Sequence, residues 1–134
     1  VNPVHPDIEG HKTFASIDAL PFTPDLVVVT APAAAVPGII AAAAIKGAAG
    51  AVILSAGLGH GANSFAAAAL DAAKKGGLRL IGPNCLGLLV PQHRLNASFA
   101  AHMPSEGSLA LISQSGAIVA AMVDWAARRI CATG

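Results

Sequence analysis

An α/β fold built on a doubly wound parallel sheet is predicted by two observations. Short uncharged apolar runs recur along the chain, and each leads through a turn containing Gly or Pro into an alanine-rich stretch. Continuous apolar strands that alternate with helices predict a parallel sheet covered on both faces, with right-handed crossovers. Size is a third constraint. With 134 residues, 54% of them hydrophobic and 11% charged, the chain suffices for one compact domain, or for one domain and the start of another.

The elements follow in order. Val1-Asn2-Pro3 reads as the end of a strand, and no strand with a glycine-rich turn precedes Leu26, so the sheet is expected to lack its first βα unit. Leu26 to Thr30 is a strand, Ala33 to Lys46 a helix, and Gly47 and Gly50 break the chain before a second strand, Ala51 to Ser55. A second helix runs from Ser64 to Lys75. Its last turn carries two lysines with Gly76-Gly77 just beyond, as a helix C-terminus prefers. The strand Leu78 to Ile81 comes next. After Gly82-Pro83-Asn84 the pattern changes: Leu88 to Asn96 reads as short strands and turns, and Phe99 to Gly107 as an irregular connection. Residues 1–102 are therefore assigned to one domain and residues 103–134 to the start of a second. In the latter, Ser108 to Ile112 is expected to be a buried strand, Ser113 to Gly116 a tight turn, and Ala117 to Arg129 a helix. One βα unit cannot bury its own faces, so the chain reads as a fragment.

Charge and composition exclude several roles. Eight basic and seven acidic residues leave a formal charge of +1, with no run of like charge to gather nucleic acid or an anionic membrane. The stretch from Leu26 to Ile45 is uncharged and long enough to span a bilayer. Pro32 and Pro37 interrupt it, however, and its β-branched first part and Ala-rich second part read as strand followed by helix. Cys85 and Cys131, far apart in a chain with no signal-like start, predict free thiols in a reducing cytoplasm.

Four turns fall at predicted strand ends and open toward one edge of a parallel sheet: Val1-Asn2-Pro3, Thr30-Ala31-Pro32-Ala33, Ser55-Ala56-Gly57-Leu58-Gly59 and Gly82-Pro83-Asn84-Cys85. Small residues there let backbone N–H groups approach a ligand, and helix N-termini favour phosphates without lysines. For any single turn, tight connection of helix and strand explains the composition equally well. Their coincidence on one edge is more specific. No histidine falls in a catalytic pattern, no metal-ligand spacing occurs, and Cys85 has no basic neighbour in sequence to activate it. His60, between Gly59 and Gly61, sits on the ligand side.

The segments GPNCLG (Gly82 to Gly87) and LALISQSG (Leu109 to Gly116), with Asp124-Trp125-Ala126 on the last helix, resemble the α-subunit of succinyl-CoA synthetase. They resemble the ADP-forming acetyl-CoA synthetases more closely. The chain is thus identified as similar to the NDP-forming acyl-CoA synthetases, a family that includes a branch fused to lysine acetyltransferase domains. The resemblance implies a Rossmann-like CoA-binding domain followed by the opening of a flavodoxin-like domain.

It further implies a ligand and its contacts. Asn2, Pro3 and His5 are placed at the nucleotide end of coenzyme A, and Ala31, Pro32 and Ala33 beside its pantetheine or phosphates. Leu54, Ser55 and Ala56 line its path, and Asn84 and Cys85 stand near its thiol. His5 occupies the place of a lysine in the succinyl enzyme and is a weaker, pH-dependent cation. Ser113, Gln114, Ser115 and Gly116 match the turn that helps hold a phosphate carried on a histidine, while a simple N-cap is the competing reading. Ala120, where the succinyl enzyme has a tyrosine, argues against succinate. The phosphohistidine has no counterpart among His5, His11, His60, His93 and His102. The implied function is the CoA-binding portion of an acid–CoA ligase acting through acyl phosphate and phosphohistidine. Magnesium and ATP or ADP are expected on other parts of the enzyme, in its remaining domains or a β-type ATP-grasp subunit, within an oligomer. Two alternatives stand beside it. One is a CoA- or acyl-CoA-sensing module of an acetyltransferase fusion, and the other an NAD-binding dehydrogenase domain. Against the latter, no acidic residue follows a glycine-rich turn at ribose-binding distance.

Overall fold

The structure, a computed structural model, describes residues 7–8 and 10–130. A short antiparallel hairpin opens it, pairing β1 (Asp7–Ile8) with β2 (His11–Lys12). Three parallel strands follow in spatial order, β3 (Leu26–Val29), β4 (Gly50–Ile53) and β5 (Arg79–Ile81). Helix α1 (Val36–Lys46) joins the first two, and α2 (Phe65–Lys75) the last two. A second hairpin, β6 (Gly87–Val90) with β7 (Leu95–Ser98), replaces the loosely assigned strands of the sequence reading. Helix α3 (Gly116–Ile130) ends the described chain.

Local chemistry sets these boundaries. A 3-10 turn over Ala33–Ala35 precedes α1, which therefore begins later than the expected Ala33. Pro37 sits in the first turn of α1, where a missing N–H costs nothing. Ser64 caps α2, its hydroxyl accepting from the Ala67 N–H at 3.1 Å, which satisfies one of the free donors of the first turn. Ser55 has already left β4, which ends at Ile53.

The core lies between one face of the sheet and both helices. Val29, Ala51 and Ile53 point into it and meet Val36, Ile40 and Ala43 of α1 and Ala69 and Ala73 of α2. The β-branched strand residues and the small helix residues divide the labour: alanines let α1 and α2 approach each other and the sheet. A β-carbon at Gly76 would collide with Ala44 Cβ, which shows how close the two helices come. The other sheet face carries the register row Val28, Val52 and Ile81. On it Val28 and Ile81 are 45% and 40% exposed, whereas Val52 between them is fully buried.

One prediction fails. Ser108 to Ile112 forms no strand, and its apolar side chains are open to solvent, Leu109 at 79% and Ile112 at 98%. A buried strand requires a neighbour for its N–H and C=O groups and a layer for each face. No described strand lies beside this segment to supply either. The helix after it does form, one residue earlier than expected.

Candidate functional site

Parallel pairing of β3, β4 and β5 brings three of the four predicted turns to one edge. Ser55 joins them. Its hydroxyl donates to the Ala31 carbonyl at 2.6 Å, and its own carbonyl accepts from the Asn84 N–H at 3.0 Å. The turns after β3, β4 and β5 therefore form one hydrogen-bonded rim. Ala31, Ala33 and Ser55 are half-buried, whereas Pro32, Ala56 and Asn84 are exposed along that rim. Leu54 differs, since its side chain is buried and it supports the rim from below. Its N–H is taken by the Val29 carbonyl at 2.9 Å. Asn2, Pro3 and His5 lie outside the described residues.

The Gly82-Pro83-Asn84-Cys85 turn is the tightest part of the rim. Gly82 has a φ of +94°, Asn84 a φ of +54°, and the Gly82–Pro83 peptide is cis. Asparagine enters the left-handed region more readily than most residues, and glycine does so without strain. A β-carbon at Gly82 would collide with the Ile53 carbonyl and stand 3.1 Å from Cys85 Sγ. Backbone therefore packs on backbone here. The Cys85 thiol donates to the Ile53 carbonyl at 3.4 Å, and partial burial raises its pKa above the usual thiol range. The raised value favours the protonated thiol.

A cleft of about 400 Å³ opens beside this turn, between Leu58, His60 and Ser64 on one side and Gly82, Pro83 and Leu80 on the other. Its walls are mostly apolar. Sequence reasoning placed Leu58, Gly59, Gly82 and Pro83 in ligand-edge turns but did not foresee that they enclose a cleft with Leu80 and the start of α2. The glycine-flanked His60 and the two ligand-edge turns were the visible signals. Among the described residues no cluster of His, Cys, Asp or Glu could hold a metal ion.

The second predicted turn, Ser113 to Gly116, is held by its own hydroxyls. The Ser115 N–H donates to Ser113 Oγ at 3.0 Å, and Ser115 Oγ accepts from the Ile118 N–H at 3.4 Å, the geometry of an N-cap. Gln114 is exposed. The turn is close to the rim nonetheless, since a β-carbon at Gly116 would stand 3.8 Å from Leu86 Cβ, next to Cys85. His102 and Asp124 approach to 3.7 Å at the surface and link the irregular connection to α3.

Removing the Ser55 hydroxyl should loosen the rim selectively. Ser55→Ala is expected to lose about 1 kcal/mol of stability, the value of one partly buried hydrogen bond. Urea unfolding of the variant checks this, and a midpoint equal to that of the wild type would show that the bond contributes nothing.

Residues 1–91 match a family described as the CoA binding domain. The chain is 34% identical to acetate–CoA ligase [ADP-forming] I of Archaeoglobus fulgidus over 131 residues, covering 96% of this chain and 19% of that protein. It is 37% identical to acetate–CoA ligase [ADP-forming] of Methanocaldococcus jannaschii over 125 residues, covering 92% of this chain and 18% of the relative. It therefore spans about a fifth of the length of these curated relatives. Among solved structures, one from Pyrococcus horikoshii OT3 superposes with a TM-score of 0.88 at 32% identity, over 96% of this chain and 30% of the other. The dinucleotide-forming acetyl-coenzyme A synthetase 1 of Ca. Korarchaeum cryptofilum, in complex with phosphate and ADP, superposes at 0.83 with 30% identity, over 93% and 27%. A parallel sheet with its turns joined along one edge, a family match over two thirds of the sequence and these relatives agree: the chain belongs to the family of CoA-binding domains and is akin to the ADP-forming acetate–CoA ligases.

Proposed function

We propose that this chain is the CoA-binding portion of an acid–CoA ligase of the NDP-forming type, which makes acyl-CoA from acid, nucleoside triphosphate and CoA through acyl phosphate and phosphohistidine. The observation that carries the reading is the rim joined by Ser55, which sets three small-residue turns side by side. When bound, CoA supplies the thiol that takes the acyl group. The chain's own part is orientation. Ala31, Pro32 and Ala33 present small side chains and backbone where the first helical turn begins, and Ser55 and Ala56 continue that surface across β4. Asn84 and Cys85 close it at the third strand, and a rigid rim lowers the entropy of positioning the thiol for attack. Asn2, Pro3 and His5 complete the proposed contacts at the nucleotide end.

In this reading Ser113, Gln114, Ser115 and Gly116 begin a second domain near residue 103 and receive the phosphate carried on a histidine elsewhere. Their nearness to Leu86 supports the placement. Magnesium, ATP or ADP and the phosphohistidine come from other ligase domains or an ATP-grasp subunit, in an oligomer. One similar protein is named as a separate α-subunit, the acetate–CoA ligase [ADP-forming] II subunit alpha of Pyrococcus furiosus, 33% identical over 126 residues. The reading places the protein in the cytoplasm, where CoA and nucleoside triphosphates are found. Among the described residues no helix is long and apolar enough to cross a membrane.

Calorimetric titration of the full-length protein with CoA and with NAD tests the ligand class. CoA is expected to bind and NAD to give no heat of binding. Binding of NAD with silence toward CoA would overturn the assignment and restore the dehydrogenase reading.

A further inference from the structure

The cleft beside the Gly82–Pro83 turn opens at the end of the rim where the CoA reading puts the thiol. Gly82 and Pro83 line it and lead directly into Asn84 and Cys85. A β-carbon at Gly82 would stand 3.1 Å from Cys85 Sγ, and Ile53, whose carbonyl accepts that thiol at 3.4 Å, lines the cleft as well. The walls are hydrocarbon: Ile53, Leu58, Leu70, Leu80 and Pro83, with alanines of α2 between them. Two polar side chains join this lining. The Ser64 hydroxyl is occupied, donating to the Gly61 carbonyl at 2.7 Å and accepting from the Ala67 N–H at 3.1 Å, and His60 is exposed. Among the described residues no Asp, Glu, Lys or Arg lines the cleft.

Resting on the CoA reading above, we infer that this cleft receives the hydrocarbon part of the acyl group, and that the acid handled is an aliphatic monocarboxylic acid larger than acetic acid. Position is the first support. The acyl group is bonded to the CoA sulfur, so its chain extends into whatever space adjoins the thiol, and the cleft shares Gly82, Pro83 and Ile53 with that end of the rim. Size is the second. The volume of about 400 Å³ is that of a small-molecule site. A methyl group is close in size to a water molecule, whose share of liquid volume is roughly 30 Å³, so an acetyl group would leave most of the cleft unfilled. Chemistry is the third. Each methylene set against the leucines leaves water at a gain in free energy. The second carboxylate of a dicarboxylic acid would instead lose its hydration and meet no lysine or arginine along these walls. Leu58 and Leu70 on one side and Leu80 and Pro83 on the other set the width, which makes them specificity residues set apart from the reacting atoms.

The test is calorimetric titration of the full-length protein with CoA, acetyl-CoA, isovaleryl-CoA and succinyl-CoA, for the wild type, Ala67→Leu and Leu70→Ser. The wild type is expected to bind isovaleryl-CoA about tenfold more tightly than acetyl-CoA, a part of what full burial of three further carbons would give. Succinyl-CoA should bind no more tightly than CoA itself. Ala67 lines the cleft from α2, so Ala67→Leu sets an isobutyl group into the space and should bring isovaleryl-CoA down to the level of acetyl-CoA. Leu70→Ser, at a position 46% exposed, takes hydrocarbon from the wall and should reduce the preference severalfold. CoA without an acyl group reports on the rim and should bind all three proteins alike. Equal binding of acetyl-CoA and isovaleryl-CoA by the wild type would overturn the acyl cleft while leaving the CoA reading intact. So would a preference that survives both substitutions, or succinyl-CoA binding more tightly than isovaleryl-CoA. Should Ala67→Leu fail to fold, the wild-type series and Leu70→Ser decide the matter. Failure of the wild type to bind CoA in any form would overturn the CoA reading and the acyl cleft together.

Discussion

Gly82→Ala is expected to destabilise the protein by about 2–5 kcal/mol and to weaken CoA binding by roughly tenfold. Two costs add. Alanine at a φ of +94° takes on backbone strain that glycine does not feel, of the order of 1–2 kcal/mol. Its β-carbon would also meet the Ile53 carbonyl, and that neighbour is backbone in the central strand, which cannot swing aside as a flexible side chain could. Relief would come from moving the turn outward, at a further ~1–3 kcal/mol for overpacking. Such a shift carries Asn84 with it and pulls the Asn84 N–H away from the Ser55 carbonyl, so the rim itself opens. Urea unfolding gives the first effect and CoA titration at a temperature where the variant remains folded gives the second. An alanine variant with wild-type stability would show that the turn relaxes freely and that the closeness of Gly82 to β4 is immaterial.

Ile53→Ala should cost a similar amount through a different cause. Ile53 is 1% exposed, among the largest fully buried side chains, and packs in the core shared by α1, α2 and the sheet. Truncation removes buried methyl and methylene groups and leaves a cavity, a combination that costs about 2–5 kcal/mol. The cavity would not collapse easily, because Val36 and Ile40 beyond it are anchored on a helix packed against its neighbour. Ile53 also lines the cleft, and its carbonyl accepts the Cys85 thiol, so the substitution reaches the site from beneath. Thermal unfolding measures it. A parallel Ile53→Val variant should lose only ~0.5–1.5 kcal/mol, and equal losses in the two would indicate that the shape of the cleft, and not the buried volume, sets the cost.

These two positions differ in how plainly the sequence announces them. Gly82 stands in a Gly-Pro-Asn run after an apolar strand, a signature of a turn, and its place on the ligand edge followed from its position at the carboxyl end of a parallel strand. Ile53 reads only as one residue of an apolar run. Its contact with the Cys85 thiol joins positions 32 residues apart, and no local pattern encodes a contact of that kind. The same holds for the cleft, assembled from the β4–α2 connection and the turn after β5.

The sequence by itself determined the order of strands and helices from β3 to β5, the positions of the turns and the kind of residue each turn contains. These are local matters, governed by β-branched runs, helix caps and the steric freedom of glycine. It also carried the family resemblance, through GPNCLG and LALISQSG. The tertiary structure alone decided which turns touch. Ser55 could have been an idle turn serine, and it became the joint between Ala31 and Asn84 because parallel pairing aligned the three strand ends. It decided as well that α1 and α2 share one face, and that Ser108 to Ile112, apolar enough for a buried strand, stays without one. A strand is a property of two segments, since its hydrogen bonds and half of its burial come from a neighbour; a helix closes its own hydrogen bonds, and α3 forms where the strand before it does not.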